Sequence, residues 1–406
     1  MTTSALPHFP QTRGSGTGCP FSPPAEYSDW RAAEGLQKVS LWDGKTAWAV
    51  TRYEDIRVAM SDPRISADSG NPGMPRVHAG QQAGTPLSTT FIRMDDPEHA
   101  RLRRMVTKNF MVKRVEALRP RIQELVDDLI GKMTAGPGPA DLVQDFALPV
   151  PSLVISMLLG VPYEDHEVFQ KNSATMISRE ATAEETKAAG AALFGYLRQL
   201  TAAKEREPGD DILSALIAEQ VTQGELTLDE VASMSMLLLF AGHETTANMI
   251  ALGTLVLLRD PDQLARVRDT DDPKLIANTV EELLRYLTIL ENPITRVAKE
   301  DIVIGDQLVQ AGEGLIISLP AGNRDTAFLA DAPDAFDIDH RTVGHLAFGY
   351  GIHQCIGQAL ARVELQVALP TLLRTLPGLR LAVPFEEVPF RKDALVYGLD
   401  RLPVAW

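Results

Sequence analysis

The chemistry in this chain gathers first around one sulfur. Cys355 lies in the run Phe348-Gly349-Tyr350-Gly351-Ile352-His353-Gln354-Cys355-Ile356-Gly357, and a helix-period segment follows from Gln358 to about Leu373. A thiol at a helix N-terminus meets free N–H groups and the positive end of the helix dipole, which favour thiolate. A thiolate is a soft, strongly donating metal ligand. Glycines at 349, 351 and 357 let the backbone approach a flat cofactor closely, and Phe348 can shield the sulfur from water. Three other readings stand beside this one: an inert buried thiol beside a turn, a zinc site built from His340, His345, His353 and Cys355, and a nucleophilic cysteine served by His353. The zinc reading lacks the paired close spacing of closed tetrahedral sites.

A second centre lies upstream. Thr227 and Glu230 form a capping-box pattern that opens a helix of about thirty residues, long enough to cross the whole molecule. Its apolar course from Met236 to Ala241 is broken by Gly242-His243-Glu244-Thr245-Thr246 and resumes from Met249 to Leu258. Charged and hydroxyl residues in mid-helix argue against a membrane span. Thr245 is placed to bond back to the carbonyl of Ala241, which with Gly242 opens a local groove where hydroxyl and carboxylate can manage protons. Glu282 and Arg285 share one face of a Leu-rich helix at i and i+3, and their apolar neighbours point to burial. His99 and Arg103 share a face at i and i+4, placed to clamp a carboxylate. Between Arg101 and Arg119 seven Lys/Arg stand against one acidic residue. Arg104, Lys108, Lys113 and Arg114 in that run can receive an acidic partner protein.

These centres need a scaffold. Lys38–Trp42 and Lys45–Val50, joined by Asp43-Gly44, read as a hairpin. Ser66 to Thr90 is rich in Gly, Pro, Ser and Gln without periodicity, a candidate substrate lid. Helical periodicity covers Glu98–Lys108, Lys113–Met133, Pro151–Leu159, Glu164–Ile177 and Glu184–Glu205. Strand-like pieces at Leu379–Val383 and Ala394–Tyr397 suggest a β-rich tail. The fold class expected is mainly α with small β-sheets.

The chain has 406 residues, 45% hydrophobic and 23% charged, with a formal charge of −15, which excludes disordered and collagen-like classes. A pI near 5.0 argues against nucleic-acid or anionic-membrane partners. Cys19 and Cys355 are the only cysteines and fit a reducing interior. Residues 1–26 read as a flexible arm without the apolar core of a signal peptide, and 27–406 as a single cytoplasmic domain.

From about Trp42 to Trp406 these segments resemble the cytochrome P450 family of haem-thiolate monooxygenases, most closely the soluble actinomycete type. Phe348, Gly349, Gly351, His353, Cys355 and Gly357 are similar to its haem-binding signature, Ala241 to Thr245 to its oxygen-activating helix, and Glu282 with Arg285 to its buried pair. The resemblance implies a haem-thiolate fold with a long central helix over haem b. Cys355 would be the metal ligand, Phe348, Gly349 and Ala241 would line the cofactor, and His99, Arg103, Arg296 and His353 would bind the haem propionates. Thr245 and Glu244 would be catalytic in delivering protons during activation of O2. Asn323, Arg324 and Asp325 would lie in the meander. The family's usual meander arginine is replaced by His340, with Arg341 adjacent. The 406 residues hold no flavin or dinucleotide fingerprint, so the family implies electrons from NAD(P)H through a ferredoxin reductase and a ferredoxin docking at the basic run. A monomer is expected. The pocket would be lined by Phe91, Ile92, Leu238, Ala241, Leu290, Pro293, Ile294, Thr295 and Val396, suiting a lipophilic polyketide, terpenoid or xenobiotic, with Glu291 and Asn292 as polar anchors. The alternatives are a haem-thiolate peroxygenase or isomerase, and a non-enzymatic haem sensor.

Overall fold

The architecture was obtained as a computed structural model that describes residues 6–9, 13, 18–77, 90–136, 138–162, 165, 168, 171–172, 175–176, 182–291, 293–391 and 396–406. The central element is the helix Leu228–Leu258, opened by the capping box that its sequence spells: the Thr227 hydroxyl accepts from the Glu230 N–H at 3.2 Å, and the Glu230 carboxylate accepts from the Thr227 N–H at 2.7 Å. Both orphan donors of the first turn are thereby satisfied. Most of this helix is buried, packed against Pro149–Leu159, Ala183–Arg206 and Gln358–Thr375 within one large apolar cluster. The expected helices form at Glu98–Thr107, Pro149–Leu159 and Ala183–Arg206. The segment expected from Lys113 to Met133 divides into Val112–Glu116 and Arg119–Ala135, because Pro120 starts a new helix and cannot continue the old one. The helix expected over 164–177 and residues 78–89 of the proposed lid lie largely outside the described residues.

Beside the helices stands a five-stranded sheet in the order Gln37–Ser40, Thr46–Val50, Gly314–Ile317, Ile294–Ala298, Ile65–Ser66. The first two strands pair antiparallel, but the connecting loop spans Leu41 to Lys45 and closes with the Leu41 N–H on the Lys45 carbonyl at 2.8 Å. The turn is therefore wider than a two-residue hairpin and takes Trp42 out of the strand; Gly44 supplies its positive φ of 79°. The carboxyl-terminal region holds the short strands Arg380–Leu381, Phe390–Arg391, Gly398–Leu399 and Pro403–Ala405, in two small sheets.

The amino-terminal arm is not loose where it is described. Phe9 and Phe21 are buried, His8 bridges Ser40, and Arg13 is buried. Its apolar and aromatic residues dock on the core, a cost in chain entropy offset by the area they bury.

Candidate active site

The loop that carries Cys355 is closed by its own backbone. The N–H of Gly349 donates to the Leu346 carbonyl at 2.8 Å, that of Gln354 to Gly351 at 3.0 Å, and that of Cys355 to Phe348 at 2.8 Å. Gly351 has φ of 71°, and a Cβ there would lie 2.2 Å from the Met60 carbonyl oxygen, so any side chain is excluded twice over. The ring of Phe348 is held under the Arg362 guanidinium at 4.6 Å, and Arg362 forms a two-pronged bond to Glu281 at 2.6 and 2.9 Å. The helix begins at Gln358 with Gly357 as its cap, so Cys355 sits just ahead of it. Packing around the sulfur raises the thiol pKa, and the Gly357 N–H, Arg103 and Arg362 act in the opposite direction.

A cluster of buried cations and imidazoles adjoins this loop. The rings of His99 and His353 are 4.1 Å apart at their centroids. His99 accepts or donates through Nδ1 to Asp96 at 3.1 Å, while its Nε2 and the Nδ1 of His353 have no partner although buried. Arg103 donates to the carbonyl of Gln354, next to Cys355. Arg296 is buried and, among the described residues, its only hydrogen bond is to the neighbouring Thr295 carbonyl at 2.9 Å. Burial, then repulsion from Arg93, lowers its pKa to about 10. The His353 imidazole is pushed down to about 3 by burial and by Arg296, His99 and Arg103. So much buried positive charge with two orphan nitrogens calls for anions that are not side chains of this chain. A haem fits: Cys355 would hold its iron, and His99, Arg103, Arg296 and His353 would meet its two carboxylates. The zinc alternative fails, since His340 turns to Glu282 at 3.1 Å and His345 to Glu281 at 3.2 Å.

The central helix carries the second group of expected site residues. Beyond its first turn, Ala241 is the one residue of this helix that is exposed, although core residues surround it on both sides. Thr245, one turn on, is half-buried and donates its hydroxyl proton to the Ala241 carbonyl at 2.7 Å. Its oxygen is left with lone pairs to accept from a group bound in the cleft. Glu244 does not stand beside Thr245 as a solvated acid. It is buried, ion-paired with Arg391, and receives a hydrogen bond from Asn248 Nδ2 at 3.0 Å, while its Oε2 is unpartnered. One residue along a helix is a turn of about 100°, which separates the two side chains.

Glu282 and Arg285 are fully buried and form a two-pronged pair at 2.7 Å on both arms. Arg285 also donates to the carbonyls of Asn323, Pro333 and Ala335. His340, not the exposed Arg341, completes the network at Glu282.

The pocket residues divide. Leu290 and Val396 meet in an isolated antiparallel bridge, Leu238 is buried on the central helix, and Phe91 packs 6.2 Å from the His99 ring. Ile92 is exposed, and Ile294 pairs with Ile317 in the sheet, with Pro293 just before it. Thr295 instead accepts a hydrogen bond from Arg93 at 3.3 Å. Glu291 is no free anchor, because Arg13 holds it at 2.6 Å; Asn292 lies outside the described residues. The basic run is more neutral than its composition: Lys108 pairs with Glu219 and Arg114 with Asp210 at 3.9 Å, while Arg104 and Lys113 are exposed. Sequence reasoning missed Arg13, Arg93 and Arg391, whose partners lie far off in the chain.

A cysteine loop, an adjoining cluster of cationic and imidazole side chains and a threonine-bearing central helix are the arrangement that a haem-thiolate protein would use. The Cytochrome P450 family model matches residues 38–377. Cytochrome P450-SU2 of Streptomyces griseolus is 52% identical over 389 residues, covering 96% of this chain and 95% of that one. The crystal structure of GfsF superposes with a TM-score of 0.94 at 51% identity, covering 99% of this chain and 100% of that one, and cytochrome P450 GfsF comes from Streptomyces halstedii. The mycinamicin VIII C21 methyl hydroxylase MycCI of Micromonospora griseorubida, crystallised with mycinamicin VIII, superposes with a TM-score of 0.90 at 38% identity, covering 99% and 100%. The chain belongs to the cytochrome P450 family and is a monooxygenase using haem iron. No helix among the described residues is long and apolar enough to cross a membrane.

Proposed function

We propose that this monooxygenase hydroxylates a lipophilic small molecule, of polyketide, terpenoid or xenobiotic type, in a single cytoplasmic, monomeric domain that holds haem b. The observation that carries this reading is the exposed Ala241 beside a half-buried Thr245 in a helix otherwise sunk in the core. Haem, when bound, supplies the iron at which O2 is activated, and a thiolate ligand favours cleavage of the O–O bond. Cys355 would ligate it, His99, Arg103, Arg296 and His353 would neutralise its carboxylates, and Phe348, Gly349 and Ala241 would line it. Thr245 Oγ1, its own proton spent on Ala241, accepts from a donor in the cleft and fixes that donor's place. Glu244 would help relay protons to the site: its Oε1 is ion-paired with Arg391, which also reaches Asp400 at 3.2 Å on the exposed side. Leu238, Leu290, Val396 and Phe91 would form apolar walls that exclude water, with Pro293 and Ile294 leading from them into the sheet and Ile92 at the exposed rim. The relative named as the mycinamicin VIII C21 methyl hydroxylase supports hydroxylation of a small molecule, and a medium-sized lipophilic one is the reading adopted.

Electrons come from NAD(P)H through a ferredoxin reductase and a ferredoxin. Ferredoxins are typically acidic, and Arg104, Lys113 and the exposed flank of the basic run would meet one. A screen of lipophilic compounds for shifts of the Soret band identifies a substrate. With it, Thr245→Ala is expected to keep NAD(P)H oxidation while product falls about 10²-fold and hydrogen peroxide accumulates. Full coupling in that variant would overturn the assigned role.

A further inference from the structure

Arg13 is a charged residue in a segment that reads from sequence as a loose arm, yet its side chain is 3% exposed. Its guanidinium donates from Nε to Glu291 Oε2 at 2.6 Å, from Nη1 to the carbonyls of Leu287 at 3.0 Å and Phe21 at 3.3 Å, and from Nη2 to Thr288 at 3.0 Å. It also lies 4.6 Å from the centre of the Tyr397 ring, whose hydroxyl donates to the Pro20 carbonyl at 2.7 Å. Leu287 ends the helix Pro273–Leu287, and Thr288 caps it in the left-handed region with φ of 35°, a conformation that a β-branched residue holds only when its surroundings impose it. Arg13 caps that helix end as a cation and fixes the strained residue after it.

The turn that follows is the wall of the substrate pocket. Ile289 accepts from the Tyr397 N–H at 2.7 Å, Leu290 bridges Val396, and Pro293 and Ile294 lead into the sheet. Two pocket segments, 289–291 and 396–397, are thus tied together, and both are tied to the arm by one guanidinium. We infer that Arg13 is a positioning residue that sets the shape of the substrate pocket by locking Glu291 and the turn after Thr288, making the amino-terminal arm a determinant of specificity. Its removal leaves the Glu291 carboxylate half-buried without its partner, and that carboxylate then turns toward the pocket or water, carrying Leu290 with it.

The inference rests on the reading of these segments as the substrate pocket, so the test uses two probes of the purified haem-loaded protein. Imidazole reports access to the iron alone, whereas 4-phenylimidazole also needs the walls. In Arg13→Ala the Kd for 4-phenylimidazole, from Soret titration, is expected to rise at least tenfold, with that for imidazole within twofold and the reduced carbon monoxide spectrum unchanged. Glu291→Gln, which keeps shape and removes the charge, is expected to shift the same ratio by a smaller factor and decides the matter if Arg13→Ala does not fold. Unchanged 4-phenylimidazole binding, or an equal loss for both probes, would overturn the inference. A wild-type protein that binds 4-phenylimidazole no better than imidazole would instead refute the pocket assignment itself.

Discussion

Two buried charge clusters in this protein have opposite bookkeeping. Around Glu282 and Arg285 every strong donor finds an acceptor: the carboxylate takes Arg285, His340 and the Asp337 N–H, and the guanidinium spends its remaining hydrogens on three carbonyls. Around His99, His353 and Arg296 two ring nitrogens are orphaned, Arg296 has no anionic partner among the described residues, and nearby cations add to burial in lowering the pKa values of Arg296 and His353. A satisfied cluster holds the fold together; an unsatisfied one marks where the fold expects a ligand. Compensation, rather than burial or charge, is what separates structural from functional polar groups here.

That contrast can be broken by mutation. Glu282→Ala leaves Arg285 fully buried without its counter-ion and is expected to destabilise the fold by about 3–5 kcal/mol in urea unfolding. A loss under about 1 kcal/mol would mean the network is dispensable. Arg296→Leu removes a cation that lacks an anion, so the apoprotein is expected to keep or gain stability while haem affinity drops about tenfold, read by titrating haem into apoprotein. Equal destabilisation in the two variants would erase the distinction. Glu364 sharpens the comparison from the acidic side: on the helix that follows Cys355, it has no ionic partner among the described residues, and burial raises its pKa to about 8. Because that pKa lies above the unfolded value, the carboxyl costs nothing below about pH 4.5 and destabilises progressively as pH rises toward 8. Glu364→Gln is therefore expected to stabilise the protein by roughly 1–3 kcal/mol at pH 7.5, where unfolding would release the proton that burial retains, and not at pH 4.5. A gain of the same size at both pH values would contradict the assignment.

Much of the site was legible because its groups are local in sequence. The Cys355 loop, the capping box at Thr227 and Glu230, the back-bond from Thr245 to Ala241 and the pair at i and i+3 all follow from spacing within a turn or two. What sequence hid is non-local. Arg13 meets Glu291 across 278 positions and Arg391 meets Glu244 across 147, and no periodicity encodes such pairs. The acidic partners of Lys108 and Arg114 also come from a distant segment, so a cationic run in sequence became a partly neutral surface. The groups that act on Cys355 from outside its own loop, Arg103 and Arg362, are likewise set by packing and not by local spacing.

The central claim is that Cys355, as thiolate, binds haem iron. Its most direct test is the Soret band of the purified protein, reduced and exposed to carbon monoxide, for wild type and Cys355→Ser. The long-wavelength maximum of thiolate ligation is expected in the first and its complete loss in the second; an imidazole-type maximum in the wild type, or an unchanged band in the variant, would contradict it.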